Sequence, residues 1–123
     1  NIFNLSSKIN KVDCIVTEPY LGPYLKKLPV EKEAREIAKK ISKIYENLLN
    51  QASTLLNQGS KAVIIVPSFK TRNNKIIRIG FETLARASKF KIYFPIEQIK
   101  IPLEYNLEGG KINRKIYILE KLK

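Results

Sequence analysis

An α/β fold, in which parallel strands are joined by crossover helices and closed by a C-terminal antiparallel hairpin, follows from three features of the sequence. Two short apolar runs, Val12–Val16 and Lys61–Pro67 ("KAVIIVP"), have the composition of buried strands. A long stretch of helical period lies between them. A third apolar run, a Gly109-Gly110 pair and a last apolar run then follow in that order. A chain of 123 residues with 44% hydrophobic residues can close one core.

Each element has a local reason. Val12–Val16 is apolar and polar only near its start, at Asp13. From Val30 the period changes: Ala34, Ile37, Ala38, Ile41, Ile44, Tyr45, Leu48, Leu49, Ala52, Leu55 and Leu56 recur at three- and four-residue spacing, one stripe on a helix of about seven turns. Lys, Glu, Asn and Gln occupy its opposite face. Pro29 stands before this helix and Gly59 after it, as start and stop. Tyr45 falls on the apolar stripe and is expected in the core, its hydroxyl at the rim. Lys61–Pro67 is rich in β-branched residues and bounded by Gly59 and Pro67. Strand, long helix and strand in this order predict a right-handed crossover, hence a parallel sheet covered on both faces.

The remainder continues the pattern. Ser68–Lys75 reads as a polar, basic loop, and Arg78–Ser88 ("RIGFETLARAS") as a helix placing Ile79, Phe81, Leu84 and Ala85 on one face, with Gly80 leaving its start open. Phe90–Ile96 reads as a strand. Asn106–Asn113 holds the Gly109-Gly110 turn, and Lys115–Leu119 ("KIYIL") is the final strand. There is no internal repeat, linker or low-complexity segment.

Charge and absences bound the chemistry. Lys and Arg number 23 against 11 Asp and Glu, a net charge of +12, which suits phosphate-bearing partners or anionic surfaces and equally a Lys-rich composition with a solvated surface. Cys14, the single cysteine, sits in an apolar run and is expected to be a buried, inert thiol, compatible with a reducing cytoplasm. With no histidine, Ser-His-Asp and Cys-His catalysis are excluded and soft metal sites lack their ligands. No apolar stretch approaches the roughly 20 residues of a membrane span, so no membrane partner is expected. The chain opens on Asn1 and contains no methionine, from which a piece of a longer or processed protein is expected.

The turn after the first strand, "VTEPYLGP" from Val16 to Pro23, combines an acid, two prolines, a glycine and an aromatic ring. Together with the succession of strand, helix, strand, helix and hairpin, it resembles the second half of a class I S-adenosylmethionine-dependent methyltransferase. Within that superfamily it is similar to the amino-group methyltransferases, whose fourth motif reads Asp, Asn or Ser, then Pro, Pro and an aromatic residue. The "VTEPYLGP" form with a long helix following it is similar to archaeal and bacterial tRNA guanosine methyltransferases of the THUMP-containing type. The resemblance spans nearly the whole chain in element order, and its specific part is the eight residues of this turn.

What the resemblance implies is a Rossmann-like methyltransferase half-domain over residues 1–123, with S-adenosylmethionine as cofactor and RNA, tRNA in particular, as substrate. An exocyclic base amine is a poor nucleophile because its lone pair is delocalised into the ring. Acceptors held rigidly around its N–H groups favour a pyramidal nitrogen as positive charge develops. Proline fixes the backbone carbonyls, and an aromatic ring stacks on a base extruded into the pocket. By position, Thr17 stands where the family has its acidic or amide side chain, Glu18 and Pro19 where it has its two prolines, and Tyr20 at its aromatic. Thr17 is a weaker acceptor than a carboxylate, and Glu18 brings the carboxylate one position late. Which of the two meets the amine stays open. The reading adopted gives acceptance to Glu18, through its carboxylate or backbone carbonyl, and stacking to Tyr20; as an ordinary turn, the same residues would only shape the loop. Thr17 and Glu18 would also border the cofactor. Tyr20, Leu21, Gly22 and Pro23 would border the substrate, with Lys26, Lys70 and Arg72 as phosphate contacts beside the carboxyl edge of the sheet; Lys27 shares the position of Lys26.

The family holds its cofactor mainly through a glycine-rich turn after its first strand and an acidic residue ending its second. No G-x-G run occurs here. The expectation is therefore the substrate side of a catalytic domain, completed by an N-terminal half in the same or another chain, with an unpaired edge on Val12–Val16 that favours self-association. A non-catalytic basic RNA-binding module or subunit is the alternative. It would place its charges on one exposed face.

Overall fold

The structure, a computed structural model, describes residues 11–105 and 111–122. Strands β1 (Val12–Thr17), β2 (Leu56–Lys70), β3 (Ile76–Arg78), β4 (Phe90–Ile92), β5 (Leu103–Tyr105) and β6 (Ile112–Lys121) form one sheet, with helices α1 (Glu31–Leu55) and α2 (Phe81–Ala87) between them. The path across the sheet is β1-β2-β6-β4. β1 runs parallel to β2, and β6 runs antiparallel to both β2 and β4, so β1, β2 and β4 share one direction. The antiparallel strand β6 thus lies inside the sheet, between β2 and β4. The Gly109-Gly110 turn lies outside the described residues, and its flanks β5 and β6 pair antiparallel as the hairpin requires.

α1 buries the stripe its spacing predicts: Ala34, Ala38, Ile41, Tyr45, Leu48, Leu49, Ala52 and Leu55 are all buried. Glu31 and Glu33 in its first turn suit the positive end of the helix dipole, although Val30 provides no side-chain cap. Its stop differs from expectation. The helix ends at Leu55 and Leu56 is already extended and paired with Val12, so the chain passes from helix to strand without a turn. Both leucines are buried, and packing of this pair decides the boundary. Gly59, at φ +87°, instead serves an excursion within β2, where the register jumps from Leu56 opposite Val12 to Lys61 opposite Cys14.

Other boundaries also move. β2 extends through Ser68 to Lys70, and the expected basic loop shrinks to a short connection before β3, which pairs with Ser68–Lys70. Thr71 makes that connection: its N–H donates to the Lys75 carbonyl, and its hydroxyl accepts from the Lys75 N–H at 3.1 Å. α2 starts after Gly80, which stands at φ +72°. β4 stops at Ile92, short of the expected Ile96, whereas β6 exceeds "KIYIL" at both ends.

The core lies on one face of the sheet. Ala62, Ile64 and Val66 of β2 and Tyr117 and Leu119 of β6 pack there beneath α1 and α2, with Phe81 edge-on to Tyr45 and tilted against Tyr117. The expectation of cover on both faces fails among the described residues. Val16, Val63 and Ile118 stand side by side on the opposite face, where Val16 is 73% exposed. Cys14 shares the parity of Val16 and Val63 and is therefore exposed, not buried. No helix among the described residues is long and apolar enough to cross a membrane.

Candidate functional site

β1 ends at Thr17, and β3 takes up the same edge of β2 a few residues farther along, opposite Ser68–Lys70. The "TEPY" turn leaves the sheet in the gap between them. Thr17 is half-buried beside Ile64, and Tyr20 is 53% exposed. Glu18 Oε1 lies 3.9 Å from Arg114 Nε of β6, a loose ion pair whose carboxylate is half exposed. Arg114 also donates to the Ile112 carbonyl.

The loop after the turn is held against the core by a specific device. Gly22 has φ +114°, and a Cβ there would sit 3.2 Å from Ile41 Cδ1 and from the ring of Phe69, so only glycine brings the backbone this near α1 and the end of β2. Arg72 then ties the far end of the loop: its N–H donates to the Pro29 carbonyl at 3.0 Å and its Nε to the Leu28 carbonyl at 2.8 Å. Pro29 is fully buried. Leu21 is half-buried, and Pro23, Lys26, Lys27 and Lys70 are exposed on the surrounding surface. The structure thus brings Thr17, Glu18, Tyr20 and Gly22 together. It places Arg72 as a clamp on the loop, a role its charge did not announce.

Tyr45 supports the site from beneath. Its hydroxyl is not at the rim but buried, donating to the Ile65 carbonyl at 2.7 Å. Burial, with the charge of Glu18 second, pushes it well above the usual phenol range. A second tyrosine, Tyr117 of β6, reaches Glu82 Oε1 at 3.4 Å, and burial, with that carboxylate adding, pushes it up to about 12. Arg114, Arg78, Lys115 and Tyr117 were not singled out from the sequence. Arg114, Lys115 and Tyr117 fall in "NRKIYIL", two basic residues followed by an apolar run, which reports a strand and not a site, and Arg78 carries no signal beyond its charge.

The carboxyl ends of β1 and β2, where open α/β sheets bind ligands, coincide with this turn. Thr17 and Glu18 could line one wall of a methyl-donor site there, beside the edge of β1 that carries no strand among the described residues. The glycines described, Gly22, Gly59 and Gly80, are isolated and serve a loop contact, a strand excursion and a helix start. None of these three forms a phosphate- or nucleoside-cradling turn.

No family model and no curated protein matches the sequence. Solved structures do match in fold. A protein of Thermus thermophilus named a candidate DNA modification methylase superposes with a TM-score of 0.64 at 15% identity, covering 100% of this chain and 51% of its own. TrmN from Thermus thermophilus gives 0.56 at 18% identity, covering 99% of this chain and 27% of its own. Burkholderia thailandensis 1,6-didemethyltoxoflavin-N1-methyltransferase, solved with 1,6-didemethyltoxoflavin and S-adenosylhomocysteine, gives 0.53 at 12% identity, covering 94% and 46%. The fold is that of the Rossmann-like S-adenosylmethionine-dependent methyltransferases. The chain spans about half the length of the first of these and about a quarter of TrmN.

Proposed function

We propose that this chain is the substrate-side part of an S-adenosylmethionine-dependent methyltransferase that acts on an exocyclic base amine in RNA, with tRNA guanosine as the substrate class. The observation that carries the reading is the "TEPY" turn at the carboxyl end of β1, followed by a loop that Gly22 lets pack against the core, with a carboxylate and an exposed tyrosine in the same turn. The fold shared with TrmN adds support, as does the net charge of +12.

When bound, S-adenosylmethionine supplies an electrophilic methyl group on a sulfonium. The chain's own residues act on the amine. Tyr20 holds the base by its ring face, and the Glu18 carboxylate or backbone carbonyl accepts an N–H of the amine, an interaction that strengthens as the nitrogen gains positive charge. Thr17 positions this turn as the last residue of β1. The cofactor-binding half is supplied by an N-terminal segment or a partner chain.

The test is methyl transfer by the chain joined to such a half, using isotopically labelled S-adenosylmethionine and unfractionated tRNA, followed by digestion to nucleosides. Label in an N-methylated guanosine is expected. Label confined to DNA or to a small molecule would overturn the substrate assignment. Calorimetry on the 123-residue chain alone should detect no tight, stoichiometric S-adenosylmethionine binding.

A further inference from the structure

Beyond the turn, a second cleft opens on the helix-covered face of the sheet between β2, β3, α2 and β6. It has a chamber of about 380 Å³ and an adjoining one of about 170 Å³, and Ser68, Arg78 and Lys115 line both. The sheet register explains their convergence. Arg78 and Asn113 stand directly opposite Ser68 on its two sides, and Lys115 stands opposite Val66, two residues back on the same face. Opposed side chains on a sheet start about 5 Å apart and diagonal ones about 7–8 Å, so two long basic side chains flank one hydroxyl within reach of a single anion.

Ser68 is the unusual member. It is 3% exposed, and its Oγ has no hydrogen-bond partner among the described residues. A buried hydroxyl left unpaired is destabilising, a cost tolerated at a place where a ligand completes it. Two carboxylates border the cleft. Glu82 is engaged by the Tyr117 hydroxyl, and Glu104 lies opposite Lys115 across the pairing of β5 with β6. Arg114, which meets Glu18 at the turn, also borders the smaller chamber.

We propose that this cleft binds a backbone phosphate of the substrate strand, next to the nucleotide presented to the turn, with Arg78 and Lys115 neutralising its charge and Ser68 donating a hydrogen bond. The inference rests on the nucleic-acid reading above but not on methyl transfer. The phosphate could also come from a free nucleotide, and the experiment separates the two.

Binding of a fluorescent single-stranded RNA decanucleotide to the 123-residue chain is measured at several salt concentrations, with amide chemical shifts followed during separate titrations of inorganic phosphate and a nucleoside monophosphate. The expected results are phosphate-induced shifts at Ser68 and its neighbours, and oligonucleotide affinity above that of the monophosphate. Arg78→Ala with Lys115→Ala should weaken strand binding roughly tenfold and lower the salt slope by about 1, whereas Lys40→Ala with Lys43→Ala on the exposed face of α1, an equal loss of charge, should cost less than about twofold. Ser68→Ala should weaken binding without altering the slope. Glu104→Gln should tighten it, because Glu104 no longer competes for Lys115. If the double variant does not fold, Arg78→Gln alone carries the comparison, with about half the effect. Equal losses from the two double variants, no shift at Ser68, or tighter binding of the monophosphate than of the strand would each overturn the proposal. Cleft binding without methyl transfer in the completed enzyme would sink the enzymatic reading alone; methyl transfer with a KM indifferent to Arg78 and Lys115 would sink the cleft alone.

Discussion

Glu18 and Arg114 are 3.9 Å apart, farther than a tight charge-assisted hydrogen bond, so the carboxylate is oriented without being consumed by its partner. If it accepts from the amine only as charge develops, Glu18→Ala should lower single-turnover methylation in the completed enzyme roughly a hundredfold, while RNA affinity changes little. Tyr20→Ala should lose about 1–3 kcal/mol of stacking, and Tyr20→Phe should be nearly silent. Unchanged turnover in Glu18→Ala, with loss in Thr17→Ala, would move the acceptor to Thr17. Gly22 makes a separate prediction. Alanine there must hold φ near +114° and press a methyl on Ile41 and Phe69, so Gly22→Ala should cost about 1–2 kcal/mol in denaturant unfolding and reduce turnover by displacing the turn. Wild-type stability and rate in that variant would show that the loop is not held as described. The prolines and aromatics of this turn are legible in the sequence because their chemistry is local. Arg114 is not, since only the pairing of β6 with β2 brings it across.

At the scale of elements, α1 is joined to the sheet by a polar bond as well as by its stripe. The Tyr45 hydroxyl meets the Ile65 carbonyl of β2, and Tyr45→Phe should destabilise the chain by about 1–2 kcal/mol without altering the fold, which equilibrium unfolding and circular dichroism would report. Strand order has its own electrostatic mark. Glu120 of β6 bridges Lys91 of β4 at 3.0 Å and Lys61 of β2 at 3.1 Å, and these partners, Lys91 first, hold its carboxyl below the ordinary 4.5. A depressed folded-state value stabilises above the unfolded value and is lost as pH falls through the folded one. Glu120→Gln should therefore lower the thermal midpoint at neutral pH and low salt, and the difference should fade as pH falls through the folded-state value or as salt is raised. A difference that persists in acid would show a packing effect in place of the charge.

At the scale of the whole molecule, the described residues cover one face of the sheet and leave the other open. β1 has no partner on its outer edge among the described residues, and Val16 beside Val63 and Ile118 leaves an apolar surface next to it. Edges of this kind recruit strands. The chain by itself should associate with rising concentration, and joining it to a cofactor-binding half should abolish the association, as sedimentation would show. A chain that remains monomeric at high concentration, with amides along Val12–Val16 exchanging freely, would argue against this edge as the joining surface.

The sequence alone determined what depends on neighbours along the chain: the helical stripe of α1, the apolar runs of β1 and β2, the turn chemistry of "TEPY" and the basic charge. It also determined the succession of strand, long helix, strand, helix and hairpin that, with the turn, carries the resemblance to the methyltransferase fold, but not the short strands β3 and β5. Tertiary structure decided whatever depends on residues far apart in sequence. It set the end of α1 at Leu55, because the buried Leu55-Leu56 pair and the pairing with Val12 outweigh the glycine signal at Gly59. It placed β6 between β2 and β4, since a strand's partners are chosen by surfaces that do not exist until the sheet assembles. It exposed Cys14 and buried the hydroxyl of Tyr45, because an apolar run records that a strand is there but not which of its faces will be covered.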